Sequence, residues 1–219
     1  MSVLGNNLLA QYYAQFGGIL PPEYQQVEYL ESSGTQRIDL VFKATEKTKV
    51  TVDLQTSLGY WNWVFGSRND ANPIDRFCLY AYNNGDILPM IGIAQPRISV
   101  SFSGGVRHVI EMSLYGGIVF DGNIVYEYTQ EEKQHNFIST YPLSLFALRI
   151  GESSYNTSYM HGRIYGFTAV ENSLYVCKPI PCVRKSDGKP GLYDLCKSIC
   201  PLTGTPFYIN SGTGEFTTP

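Results

Sequence analysis

The chain has 219 residues, 43% hydrophobic and 14% aromatic, which suits one large domain with an extension or two small ones. Charged residues make up only 16%, below the ~25% of a typical soluble domain, and the formal net charge is −3. That balance excludes the nucleic-acid backbone as a partner, which needs clustered Lys and Arg. It fits a Tyr- and Asn-rich surface that meets proteins or sugars.

Residues 1–22 differ from the rest. Leu4, Leu8, Leu9, Tyr12, Tyr13 and Phe16 recur at helical spacing and form one apolar stripe. Asn6 can cap such a helix, and Gly17-Gly18 with Pro21-Pro22 ends it. A helix this short is marginal alone, so the stripe must be buried, either on its own β domain or on a partner. The expectation is a short N-terminal helical arm and hinge over 1–22 whose six apolar residues bind that partner. No run is long enough to cross a bilayer, and the first residues lack a basic segment and are interrupted by Asn6, Asn7, Gln11 and Gln15, so a secretory signal is not expected there.

From Tyr24 the pattern is β. Val27–Leu30 and Gln36–Phe42 bracket a Ser-Ser-Gly-Thr turn, and Val50, Val52 and Leu54 alternate with polar residues. Short runs follow at 61–65, 77–82, 88–93 and 98–102, separated by loops rich in Asn, Asp, Gly and Pro. Residues 106–114 alternate strictly, and Asp121-Gly122 between two apolar runs is a strong hairpin signal. After a polar loop at 129–136, runs at 143–150, 164–170 and 174–176 continue the pattern, the last two flanking a Glu171-Asn172 turn. The tail from Ile180 is dense in turn pairs, including Asp187-Gly188 and Pro190-Gly191. It reads as short strands wrapped on an existing sandwich rather than a unit with its own core. About a dozen short strands with turns every 8–12 residues predict a β-sandwich over residues 23–219.

Few residues point to chemistry. A glycosidase needs two carboxylates aimed at one bond, but Glu111 stands alone on the strand at 106–114, and Asp121 reads as a turn residue. No nucleophile motif or phosphate-cradling loop is present, so no catalytic residue and no cofactor are expected. Cys78, Cys177, Cys182, Cys196 and Cys200 are an odd number, which predicts reduced thiols rather than a disulfide framework. The Cys177/Cys182 and Cys196/Cys200 pairs offer four thiols, but zinc pairs normally lie at turns, and Cys177 and Cys182 flank Pro179 and Pro181 in a segment expected to be extended, so free, partly buried thiols are expected. Asn69, Asp70 and Asp75 lack the alternation of a calcium loop, so no metal site is expected. His108 reads as a packed, hydrogen-bonded residue.

Sugar recognition has better material. Tyr60 and Trp61 beside a strand, and Tyr155 and Tyr159 in an Asn/Ser-rich loop, are candidate stacking platforms for pyranose rings. Against this, Trp61 and Trp63 are two residues apart and are expected to fill the core together. The loop tyrosines equally suit subunit contacts.

Three stretches carry a resemblance. VEYLESSGTQRIDL (Val27–Leu40), GRIYGFTAVENSLYV (Gly162–Val176) and IPCVRKSDGKPGLYDLCKSICPLTGTPFYINSGTGEF (Ile180–Phe216) resemble concanavalin A-like, laminin-G-type jelly rolls of phages and prophages of gut bacteria. The segment Leu195–Pro201, with two cysteines, departs from the short turn common in that group. The resemblance implies an all-β jelly-roll β-sandwich and a virion protein made in the cytoplasm of a bacterial host. Its partners would be other virion proteins and further copies of itself. The expected function is therefore non-enzymatic: a capsid decoration, head fibre or tail appendage attached through the arm. The alternative is a lectin-like module for host surface glycan.

Overall fold

The computed structural model describes residues 20–57, 59–71, 74–196 and 206–219. The predicted helical arm, with Leu4, Leu8, Leu9, Tyr12, Tyr13 and Phe16, lies outside the described residues, as does Cys200. The strands in chain order are β1 (Tyr24–Gln26), β2 (Leu30–Ser33), β3 (Ile38–Asp39), β4 (Lys49–Thr56), β5 (Asn62–Asn69) and β6 (Asp75–Ala81). There follow β7 (Asp86–Ile91), β8 (Ile98–Ser99), β9 (Arg107–Ser113), β10 (Gly117–Phe120), β11 (Asn123–Tyr126) and β12 (Ser144–Leu145). The last are β13 (His161–Glu171), β14 (Leu174–Cys177), β15 (Pro179–Arg184), β16 (Lys189–Asp194) and β17 (Phe207–Ile209).

Two antiparallel sheets face each other. One is seven-stranded, ordered β11-β10-β9-β4-β13-β14, with β2 also paired to β13; the other is six-stranded, ordered β3-β12-β5-β6-β7-β8. Alternation on β4 and β9 sends Val50, Val52, Leu54, Ile110 and Met112 inward, where they share one core with Phe65, Phe77, Leu79 and Ile87 of the opposite sheet. The Phe65 and Phe167 rings meet edge-on across the gap at 5.5 Å. Truncating such a buried Phe to Ala costs about 3–5 kcal/mol. The expected all-β sandwich is therefore borne out for the described residues.

Several local expectations need correction. The run 143–150 is a strand only at Ser144–Leu145, because Phe146 takes a φ of +64° that breaks the extended chain. The run 98–102 stops at Ser99 for the same reason, with Ser101 at +55°. Pro190-Gly191 is no turn: it lies within β16, paired to β15. The turn after β13 falls one residue later than expected, on Asn172 and Ser173, both with positive φ. Asp121-Gly122 does form the predicted hairpin turn, with φ of +48° and +81°.

The tail packs on the sandwich and also carries a smaller apolar cluster. β1, β15, β16 and β17 form a four-stranded sheet. Adjacent apolar residues on its strands split between its two faces. Leu192 and Tyr208, cross-strand partners, join the main core. Their neighbours Tyr193 and Phe207, also partners, face the other way and pack with Leu20, Cys182 and Leu195. Tyr24 tilts onto both rings at 4.8 and 5.0 Å. Two apolar faces give this small sheet a cluster of its own.

Candidate functional site

The outer face of the six-stranded sheet carries the candidate site. On β6, Phe77, Leu79 and Ala81 point inward, so Cys78 and Tyr80 point out, and Tyr82 continues their row. On β5 the register shifts between Trp63 and Phe65. This bulge lets Val64 and Phe65 both reach the core while Trp63, opposite Tyr80, faces out. Trp63, Cys78, Tyr80 and Met90 then close over one another with Leu148 from the loop after β12, forming a satellite apolar cluster.

The expectation that Trp61 and Trp63 fill the core together fails. Trp63 is buried in this satellite cluster, not the main one, and Trp61 is 55% exposed. Trp61 precedes β5, so strand alternation does not govern it. Its ring meets Tyr82 edge-on at 5.8 Å, Tyr82 meets Tyr80 at 4.8 Å, and Tyr80 meets Trp63 at 4.6 Å. Four aromatic rings therefore cross the sheet in an unbroken row of edge-to-face contacts. Burial pushes the Tyr80 hydroxyl up to about 12, so it is a neutral hydrogen-bonding group. The Arg97 guanidinium covers Tyr82 at 4.2 Å and is held by Asp86 at 2.6 Å.

An open depression of about 400 Å3 lies over this row, lined among others by Trp61, Trp63, Arg68, Tyr80, Tyr82 and Asn156. Across Tyr82 a second depression of about 320 Å3 is lined by Tyr60, Asn83, Asn84, Ser101 and Ser103. Tyr82 is the wall common to both. Beneath the second, His108 holds the 101–105 loop: its Nε2 accepts from the Ser103 N–H at 3.5 Å, and its Nδ1 donates to Asp121 at 2.8 Å. Phe102 and Phe120 flank the imidazole. Asp121 is thus more than a turn residue. Burial pushes its carboxyl up, but the Val109 N–H and His108 outweigh that and hold it below the usual range.

The four sequence-derived platform residues separate into two pairs. Tyr60 and Trp61 border the two depressions, each about half exposed. One face of Tyr60 is taken by His161, stacked at 3.8 Å. Tyr155 and Tyr159 lie instead by β3. The Tyr155 ring lies 3.8 Å under the Arg37 guanidinium, and its hydroxyl donates to Asp39 at 3.0 Å. Tyr159 accepts from Arg37 at 3.5 Å. Sequence reading passed over Tyr80, Tyr82, Arg68 and Asn156. The signal for the two tyrosines was present: in Phe77-Cys78-Leu79-Tyr80-Ala81-Tyr82, the inward phase belongs to Phe77 and Leu79.

No carboxylate from the described residues lines either depression. Glu111 lies on the other sheet, ion-paired with Lys49. Among the described residues no cluster of three or more His, Cys, Asp or Glu is placed to hold a metal. Asp70 is engaged by Arg68 and Arg76, and Asp75 accepts from Thr140.

No protein-family profile matches the sequence, and no curated protein matches it. Among solved structures the chain is similar to the native heptameric SAP-like pentraxin of Limulus polyphemus. The identity is 10% and the TM-score 0.48, covering 67% of this chain and 74% of that one. So loose a likeness carries nothing about chemistry. The fold assignment rests on the strand order and core described above.

Proposed function

We propose that this chain is a non-enzymatic carbohydrate-recognition domain, with its binding surface on the outer face of the six-stranded sheet. The observation that carries the reading is the ring row Trp61–Tyr82–Tyr80–Trp63, open to solvent at Trp61 and bordered by Asn83, Asn84, Asn156 and Ser158. Aromatic faces shed water readily and stack on the C–H faces of sugar rings, while amides and hydroxyls pair with sugar hydroxyls. Hydrolysis is disfavoured because the paired carboxylates it needs are not found in these depressions. A glycan array probed with the purified protein tests the reading. Binding should be seen, and Trp61→Ala should weaken it about fivefold or more, since loss of a central aromatic contact typically costs upwards of about 1 kcal/mol. An array without a single positive, or full binding by the variant, refutes it.

The setting we propose is a phage particle, made in the cytoplasm of a bacterial host, where the domain serves as a capsid decoration, head fibre or tail appendage in several copies. The support is the sequence resemblance over residues 23–219 and the apolar stripe of residues 4–16. Leu20 belongs to the tail-sheet cluster, so an informative truncation ends at residue 19. Deleting 1–19 is expected to leave the melting temperature almost unchanged and to abolish incorporation into particles. Normal incorporation of the truncated chain would refute attachment through the arm.

A further inference from the structure

The charge around the aromatic groove is unbalanced. Arg68 and Arg76 are direct cross-strand partners at one end of β5 and β6. Like charges so placed repel one another, and a single carboxylate separates them. Asp70 accepts from Arg68 Nε at 2.6 Å and from Arg76 Nε at 2.7 Å. One anion between two guanidinium groups leaves one positive charge over. Burial pushes the Asp70 carboxyl up, but Arg76 and Arg68 outweigh it and hold the group below the usual carboxylate range.

The surplus is presented at Arg68. The Arg76 side chain is only 11% exposed and also donates to Gln95, whereas that of Arg68 is 31% exposed and lines the groove. Only Nε of Arg68 is occupied by Asp70. Its two terminal nitrogens have no hydrogen-bond partner among the described residues. Those nitrogens form half of the planar fork that a carboxylate fits. No described carboxylate lines the depression itself. The Asp86 carboxylate nearby accepts from Arg97, Ser99 and Asn84.

We infer that the ligand of this groove is an acidic oligosaccharide: Arg68 holds the carboxylate of a uronic or similar acid sugar, and adjoining rings lie along Trp61 and Tyr82. This rests on the glycan-binding reading above and specifies its substrate class. Tyr80 and Trp63 are each 7% exposed and lie in the groove floor, so stacking falls to Trp61 and Tyr82 beside the charged group held by Arg68. Recognition by a guanidinium fork needs no divalent cation.

The test uses uronic-acid-containing capsular polysaccharides, each beside its carboxyl-reduced, neutral form, with the full chain and chelator present. Biolayer interferometry should give binding to the acidic form roughly tenfold tighter or more, as a charge-assisted pair would. The gap should narrow as salt is raised. Arg68→Gln should bring the acidic form down to the level of the neutral one, and Arg68→Lys should keep part of the gap. Trp61→Ala should weaken both forms alike. Equal wild-type affinity for the two forms, or a gap that persists in Arg68→Gln, overturns the acidic assignment and leaves the glycan reading standing. Failure to bind either form or any neutral glycan overturns the glycan reading and this inference with it. Should Arg68→Gln not fold, the wild-type comparison and its salt dependence decide.

Discussion

Gly66 is the point at which the groove floor is least tolerant of change. It lies on β5 between Trp63 and Arg68, with a φ of +144°. A Cβ there would lie 2.1 Å from Cys78 Cβ, 2.5 Å from Cys78 Cα and 2.6 Å from the Phe77 carbonyl oxygen. Two of these three atoms are backbone, so no rotamer change relieves the clash. Gly66→Ala therefore adds backbone strain of about 1–3 kcal/mol to overpacking of about 1–3 kcal/mol. The total, roughly 2–6 kcal/mol, is a large share of the ~5–15 kcal/mol that stabilises a domain. At about 2–4 °C per kcal/mol for a chain of this size, the melting temperature should fall by roughly 4–24 °C. Gly188→Ala is the control. Its φ is +69° and nothing lies within 4 Å of a new Cβ, so only the left-handed penalty of about 1–2 kcal/mol applies. Thermal melts by circular dichroism compare the two variants. Cys78→Gly should not rescue Gly66→Ala, because the Cα and carbonyl contacts remain. If the Gly66 and Gly188 variants melt within about 2 °C of each other, the close crossing of β5 and β6 is not the constraint described.

Acid should destabilise the domain through Asp121. Its folded pKa is depressed, so its contribution is present above the unfolded value and is lost as pH falls through the folded one. The melting temperature should therefore drop as pH falls below the ordinary carboxylate range, and less steeply in Asp121→Asn; parallel curves for the two proteins would refute this. Burial pushes the Cys78 and Cys182 thiols up to about 12, and both are fully covered in the fold. Iodoacetamide near neutral pH should leave them unmodified in the native protein and label them after denaturation; rapid native labelling of either would show that its sheet opens.

The fold was legible because its signals are local. Strict alternation on 106–114 and a positive-φ turn at Asp121-Gly122 mark strand and hairpin without any tertiary information. The failures arose where one backbone torsion overrides composition. Phe146 and Ser101 end apolar runs that nothing in their side chains distinguishes from strands. The bulge after Trp63 reverses the facing of the residues that follow. Tyr155 looked free because its partners, Arg37 and Asp39, lie more than a hundred residues away in sequence. The site was half legible: Tyr60 and Trp61 were visible as aromatics beside a strand, but the imbalance at Arg68 depends on a cross-strand pairing that only the register reveals.

The two outer faces of the sandwich explain why one is assigned a ligand and the other is not. On the seven-stranded sheet, Arg107 lies 3.9 Å over Tyr165 and grips Asp53 through two hydrogen bonds of 2.8 Å. Arg163 lies over Tyr29 and pairs with Glu31, Tyr165 donates to Gln55, and Lys49 pairs with Glu111. Each cation there has its own carboxylate and each of these rings its own cation, so a ligand would have to displace satisfied contacts. The six-stranded sheet has similar residue types in a different balance. Arg97 and Asp86 form a complete pair over Tyr82, but Asp70 is divided between Arg68 and Arg76, and Trp61 is open on a row of rings that continues under the groove. Desolvating a face is favourable where it exposes stacking surface and an incompletely matched charge, and unfavourable where it breaks matched pairs. On that ground the proposal places recognition on the aromatic face rather than on the charge-matched one.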